Sequence, residues 1–123
     1  MTLSAILIII GRILLGGYYL QAGLRNFMKQ PLHVGILQRK GVPLPRVALL
    51  VALTAQVVGA LSVMLGYYPA IGALLLIGFT LVALATYHDF WNYQGAERMS
   101  HLGSVLSHLA TVGGFLLVIA LSI

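Results

Sequence analysis

The sequence predicts an all-α membrane protein, an antiparallel up-down-up-down bundle of four transmembrane helices. Three observations carry this. Four apolar stretches each approach the roughly 20 residues that a helix needs to cross a bilayer. Hydrophobic residues make up 60% of the 123-residue chain and charged residues only 7%, against about 25% charged in a soluble domain. Seven basic and two acidic side chains cannot coat a soluble surface. The links after the second and third stretches are short, which makes successive helices antiparallel neighbours. The length suits one domain, expected to occupy residues 1–123.

The chain starts M-T-L-S-A-I-L-I-I-I-G-R, with no basic residues ahead of its apolar run. It therefore reads as a retained first span, from about Leu3 to Phe27, rather than a cleaved signal peptide. The link from Met28 to Leu44 is longer. Pro31 could open a short helix through Arg39, with Leu32, Ile36 and Leu37 on one side; a plain surface loop is the alternative. Gly41-Val42-Pro43-Leu44-Pro45 is expected to be extended, because residues before proline avoid the α region. The second span runs from about Pro45 to Leu65 and the third from about Pro69 to Tyr87. Each starts on a proline, whose missing N–H is harmless there. Gly66-Tyr67-Tyr68-Pro69 makes a hairpin turn whose tyrosines suit one membrane interface. Tyr87, Phe90, Trp91 and Tyr93 mark the other. The fourth span runs from about His101 to Ile123.

The formal net charge of +5 reads as a topology signal, so no nucleic-acid partner is expected. Arg25, Lys29, Arg39, Lys40 and Arg46 flank the first link and Arg98 lies in the third. The positive-inside rule then makes both links cytoplasmic and both termini extracytoplasmic. The chain has no cysteine, which excludes disulfides, thiol catalysis and iron–sulfur clusters held by its own thiolates.

Small residues mark where helices touch in lipid. Ala48, Ala52, Ala55, Gly59 and Ser62 form one stripe on the second span. Gly103, Ser107, Ala110 and Gly114 form another on the fourth, and Gly16 and Gly23 recur on the first. Arg12 shares the stripe of Gly16, Tyr19, Gly23 and Asn26, about 14 Å into its span at 1.5 Å per residue. An arginine so placed either snorkels to the outer interface or pairs inside the bundle, with Gln56 or a ligand. Arg25 lies on another side, about 140° away at 100° per residue, near Tyr18 and Gln21.

An antiparallel bundle brings Arg25, Asn26, Lys29, His88, Asp89, Trp91 and His101 to one membrane face. His101, Ser104, His108 and Thr111 continue as a polar stripe along the fourth span. Three readings compete. The cluster could be a quinone site, with hydrogen-bond donors beside an apolar slot. It could be a bis-histidine haem or metal site using His88 with His101 or His108, although the spacing matches no compact metal motif. It could instead be an ion and hydrogen-bond cluster of His88, Asp89 and Arg25 that ties helix ends together. No nucleophile elbow, phosphate loop or dinucleotide fingerprint occurs, and no catalytic residue is assigned.

The chain resembles the DoxX family over nearly its whole length. The resemblance rests on I-G-R-I-L-L-G-G-Y-Y-L-Q-A-G-L at Ile10 to Leu24, G-V-P-L-P at Gly41 to Pro45, and M-L-G-Y-Y at Met64 to Tyr68. It continues through T-Y-H-D-F-W at Thr86 to Trp91 and V-G-G-F-L-L at Val112 to Leu117. It implies a four-helix bundle in a bacterial inner membrane. The family takes its name from a subunit of an archaeal terminal quinol oxidase with thiosulfate:quinone oxidoreductase activity, and several members act beside partner proteins. This chain departs from the family pattern, which often has lysine where Asn26 stands, glutamate where Gln56 stands and a Lys-Asn pair near Ser107-His108. A basic residue also often follows the turn, where Pro69-Ala70 stands here.

These departures neutralise charges that proton or quinone chemistry would use. The expected role is therefore an accessory or scaffold subunit of a larger membrane redox or respiratory complex. Its partners would be lipid and other membrane subunits. Arg12, Gln56, His88, Asp89, His101 and His108 are the candidates for lining a quinone or lipid site. Quinone is the one cofactor considered, and no metal is expected. A small-molecule transporter or assembly factor working alone, and a quinone-linked oxidoreductase in its own right, are the alternatives.

Overall fold

A computed structural model describes residues Met1–Ile123. Five α-helices carry nearly all of it: α1 Leu3–Met28, α2 Gln30–Arg39, α3 Pro45–Leu65, α4 Pro69–Tyr87 and α5 Gly95–Ser122, with a single 3-10 turn at Phe90–Asn92. Four of them are long and apolar enough to cross a membrane, namely α1, α3, α4 with the turn after it, and α5.

Local chemistry sets the helix ends. The Thr2 hydroxyl accepts from the Ala5 N–H at 3.1 Å and caps α1, satisfying one of the free amides of the first turn. Pro31 in the first turn of α2 makes the link a helix rather than a loop. At the end of α3, Gly66 adopts φ 70 and the Tyr67 N–H returns to the Ser62 carbonyl at 3.1 Å. This is the left-handed helix stop that glycine favours. Pro45 and Pro69 open α3 and α4.

Two features differ from the sequence reading. Gly41–Pro45 is not extended throughout: Gly41 has φ 76 and Leu44 has φ 47 with ψ 60. The following proline bars Leu44 from the right-handed α region, and the left-handed region turns the chain sharply into α3. Tyr68, ahead of Pro69, does the same at φ 51. In addition, α5 starts at Gly95, six residues before His101. Its first turns are polar, with Glu97 beside the helix N-terminus, where a negative charge is favourable. Apolar patterning alone does not reveal them.

The helices touch where glycines let backbones approach. A Cβ at Gly16 would sit 2.8 Å from the Ala60 carbonyl oxygen, and one at Gly23 3.2 Å from the Gln56 side chain. As the number rises along α1 it falls along α3, so the two run antiparallel. Gly59 faces Gly72, where a Cβ at Gly72 would lie 2.7 Å from Ser62 Cβ and 2.9 Å from the Gly59 carbonyl oxygen. The α3 stripe is therefore a seam against α4 at Gly59 and Ser62. The α5 stripe is a seam within the chain only at Gly114, where a Cβ would lie 3.4 Å from Leu15; Gly103, Ser107 and Ala110 stay exposed. α5 packs instead through Phe115 and Val118, which bury more apolar surface than small residues can.

The upper core joins Tyr19, Ala60, Val63, Ala73, Leu76, Phe115 and Val118. A smaller cluster of Leu37, Leu49 and Leu53 pins α2 onto α3. Only 18 of 123 residues are buried. Large apolar side chains such as Leu7, Leu14, Val51 and Leu117 are more than half exposed, which suits a surface solvated by lipid chains.

Candidate functional site

The polar groups gather at the end of the bundle where α4 stops and α5 begins. The helix α4 ends at Tyr87, and the 3-10 turn swings the chain across to α5. His88 Nδ1 then lies 3.1 Å from His101 Nδ1. One of the two nitrogens must carry the shared hydrogen. The His88 and His108 rings are 5.7 Å apart between centroids. Tyr93 stacks on His101 at 4.3 Å. Three imidazoles and a phenol thus form a continuous row.

Asp89 is buried, and its partners come from elsewhere in the chain. Lys40 Nζ donates to Oδ1 at 3.0 Å and Asn92 Nδ2 donates to Oδ2 at 2.7 Å. The expected partner Arg25 is not among them. It donates to Gln21, one turn back on the exposed face of α1. Lys40 takes its place because α2 packs on α3 and the residue capping its C-terminus, Lys40, reaches the start of the α4–α5 link. His33, in the first turn of α2, lies 3.0 Å from the Tyr87 hydroxyl. Burial, and next the nearby Lys29 charge, hold the His33 imidazole below the ordinary histidine range.

A cavity of about 790 Å³ opens above this row. Its polar lining includes Asn26, His33, Gln56, Tyr87, His88 and His108, and the rest is mainly aliphatic. No Asp, Glu, Lys or Arg lines it. Gln56 reaches in from α3 and is 1% exposed. Its Nε2 donates to the Tyr19 carbonyl at 3.0 Å. Since a carbonyl only accepts, this bond fixes the amide orientation, and Oε1 is left buried without a partner. Beside it, the Thr80 hydroxyl donates to the Leu76 carbonyl at 2.7 Å. Tyr19 therefore donates to Thr80, at 2.5 Å.

The six residues read from the sequence do not form one site. Gln56, His88 and His108 line the cavity; His101 backs His88; Asp89 anchors the link below. Arg12 lies at the other end of the bundle. Its guanidinium packs on the Gly66 turn, where a Cβ at Gly66 would be 2.7 Å from Nη1. The suggested Arg12–Gln56 pairing does not form, because nearly three turns of α3 separate Gln56 from Gly66. The C-terminal end of the α3 dipole favours the cation there. Sequence reading put Tyr87 and Tyr93 at this interface without pairing them with histidines, and it missed His33 and Lys40 as members of the polar end. The signal for His33 and Lys40 was the short helix opened by Pro31. No group of three or more His, Cys, Asp or Glu side chains has the geometry to hold a metal ion.

Comparison with known proteins identifies the relatives of the chain. The sequence profile of the DoxX family matches residues 7–89, which take in most of α1, all of α2 to α4, and His88 and Asp89. The chain is similar to the Inner membrane protein YphA of Escherichia coli (strain K12), 25% identical over 112 residues that cover 91% of this chain and 80% of that protein. No solved structure matches it.

Proposed function

This chain belongs to the DoxX family, and on that premise we propose that it is an accessory subunit of a larger redox complex in the bacterial inner membrane, where it lines a quinone or lipid site. The observation that carries the proposal is the 790 Å³ cavity, with aliphatic walls and a histidine row along one edge. Cavities of this size and lining are typical of small-molecule sites. A neutral ring or acyl chain would fill the aliphatic part, and His88 and His108 would meet its polar group. Neighbouring imidazoles that share one hydrogen can relay a proton, here from the cavity through His88 to His101.

The accessory role is supported by the exterior. The Gly103, Ser107 and Ala110 stripe of α5 is exposed, and small residues let another helix approach closely. The exposed Arg25–Gln21 pair on α1 is a polar feature that a partner helix would satisfy better than lipid. The basic residues around the first link support a cytoplasmic link and extracytoplasmic termini. A cytoplasmic-only reporter that is active when fused to the C-terminus would refute that orientation.

Purification in mild detergent tests the main proposal. Co-purifying membrane chains, together with a bound quinone or lipid, are expected. A lone, monodisperse and ligand-free chain would overturn it.

A further inference from the structure

Arg12 is a cation that neither the cavity nor the polar end uses. The close contact of Gly16 with Ala60 and Met64 brings α1 against α3. Arg12, four residues earlier, lies on the same side of its helix. Side chains of a helix lean toward its N-terminus, so the arm runs outward along the end of α3. It ends on the Gly66 turn, where the missing side chain makes room: a Cβ there would lie 2.7 Å from Nη1 and 3.0 Å from Cζ and Nη2. The 21 residues of α3 span about 31 Å at 1.5 Å each, close to the roughly 30 Å of a hydrocarbon core. The turn at its end therefore sits at headgroup level, which its exposed Tyr67 and Tyr68 suit. The guanidinium is thus held at the depth of lipid phosphates.

Nothing in the chain neutralises it. Arg12 Nε is buried and has no hydrogen-bond partner, and the only ion pair is Lys40–Asp89. The chain has two acidic residues, Asp89 and Glu97, and both stand at the opposite end of the bundle. The oxygens of the turn are engaged elsewhere. The Ser62 hydroxyl donates to the Tyr67 carbonyl, with the Tyr68 carbonyl 3.0 Å away, and the Ser62 carbonyl accepts from the Tyr67 N–H. The partial negative charge at the end of α3 favours the cation, but α4 opens three residues later at Pro69 and brings the opposite partial charge. A charged group with a buried, unmatched donor is costly. A guanidinium is matched best by a phosphate oxyanion, which takes two parallel N–H bonds from it.

We propose that Arg12 and the Gly66–Tyr68 turn form a second site, which binds a phosphate oxyanion at that face of the membrane with the guanidinium as its anchor. The site lies nearly three turns of α3 from Gln56 and shares no lining residue with the cavity, so it stands whatever the cavity holds. Two sources share the chemistry, the phosphodiester of a lipid headgroup and free phosphate. The depth of the turn and its exposed tyrosines favour the lipid.

The test uses the full chain, delipidated in a neutral detergent and followed by native mass spectrometry. Didecanoyl phosphatidylglycerol and didecanoylglycerol carry the same acyl chains, and only the first carries a phosphate. At its tightest site the wild type is expected to bind the phospholipid about tenfold more tightly, as one charge-assisted contact supplies. Arg12→Gln should lose that preference and Arg12→Lys should keep part of it. Arg39→Gln, at the opposite end, should keep it all. An unchanged preference in Arg12→Gln, or none in the wild type, overturns the proposal. Excess inorganic phosphate that displaces the phospholipid assigns the site to a free oxyanion, and phosphate that does not assigns it to the lipid; both support the proposal. If Arg12→Gln does not fold, the wild type decides alone. A phosphatidylglycerol with a diazirine on its headgroup should label the Gly66–Tyr68 turn, and unlabelled phosphatidylglycerol, but not didecanoylglycerol, should erase that labelling. Labelling of the turn that survives this competition, or labelling confined to the Met28–Leu44 link, overturns the proposal.

Discussion

Gly72→Ala in α4 is expected to destabilise the bundle, whereas Gly78→Ala, less than two turns further along the same helix, does not. At Gly72 the added Cβ would sit 2.6 Å from Ser62 Oγ, 2.7 Å from Ser62 Cβ and 2.9 Å from the Gly59 carbonyl. Carbon atoms rest at about 3.5–4.0 Å, so α3 and α4 must part by about 1 Å or Ser62 must leave its bonds to the turn. The Ser62 hydroxyl is bound to the Tyr67 carbonyl, with the Tyr68 carbonyl 3.0 Å away, so moving it also loosens the hairpin. Overpacking of this kind costs about 1–3 kcal/mol. At Gly78 nothing lies within 4 Å of the new Cβ. Both changes gain about 1 kcal/mol of helix propensity, which cancels in the comparison. The difference between the two variants should therefore be about 1–3 kcal/mol. Reversible unfolding of both proteins in mixed micelles, followed by circular dichroism, measures it. If Gly72→Ala proves as stable as Gly78→Ala, the Gly59–Gly72 contact is not where these helices are held.

Three further outcomes follow from the polar groups. Gln56→Leu removes a buried, unpartnered oxygen at the cost of one hydrogen bond to Tyr19; relief of about 1–3 kcal/mol against a loss of about 0.5–1.5 kcal/mol should leave the chain equally or more stable in the same unfolding assay. Asp89→Asn breaks the ion pair with Lys40, whose side chain is 29% exposed; solvent limits the global loss to under about 1 kcal/mol, while hydrogen exchange at the end of α2 and in the Gly41–Leu44 link should quicken. His33, held below the ordinary histidine range by burial and Lys29, favours the neutral ring in the folded state. Its contribution is therefore complete above the unfolded value of about 6.5 and is lost as pH falls through it. His33→Gln should flatten the decline in melting temperature between pH 8 and pH 5, and an unchanged profile would remove His33 as its source.

The sequence alone determined the membrane class, the four spanning helices and most of their ends. Those properties are local. A run of apolar residues commits a segment to lipid whatever its neighbours do, and Pro45, Gly66 and Pro69 set helix ends through their own backbone geometry. The family was legible as well, because its motifs recur in order along the chain. Which polar residues meet was not local. His88 and His101 were legible because a short link joins them. Lys40 and His33 became members of the polar end only once α2 packed on α3, and Arg12 and Gln56 proved to lie at different depths. The α5 stripe looked like a seam, but of it only Gly114 touches α1, and Phe115 and Val118 make the larger buried contact. The cavity and the unmatched acceptor on Gln56 arise from the spacing of helix axes and from which partner each amide atom reaches. Only the tertiary structure sets these, because each depends on residues dozens of positions apart.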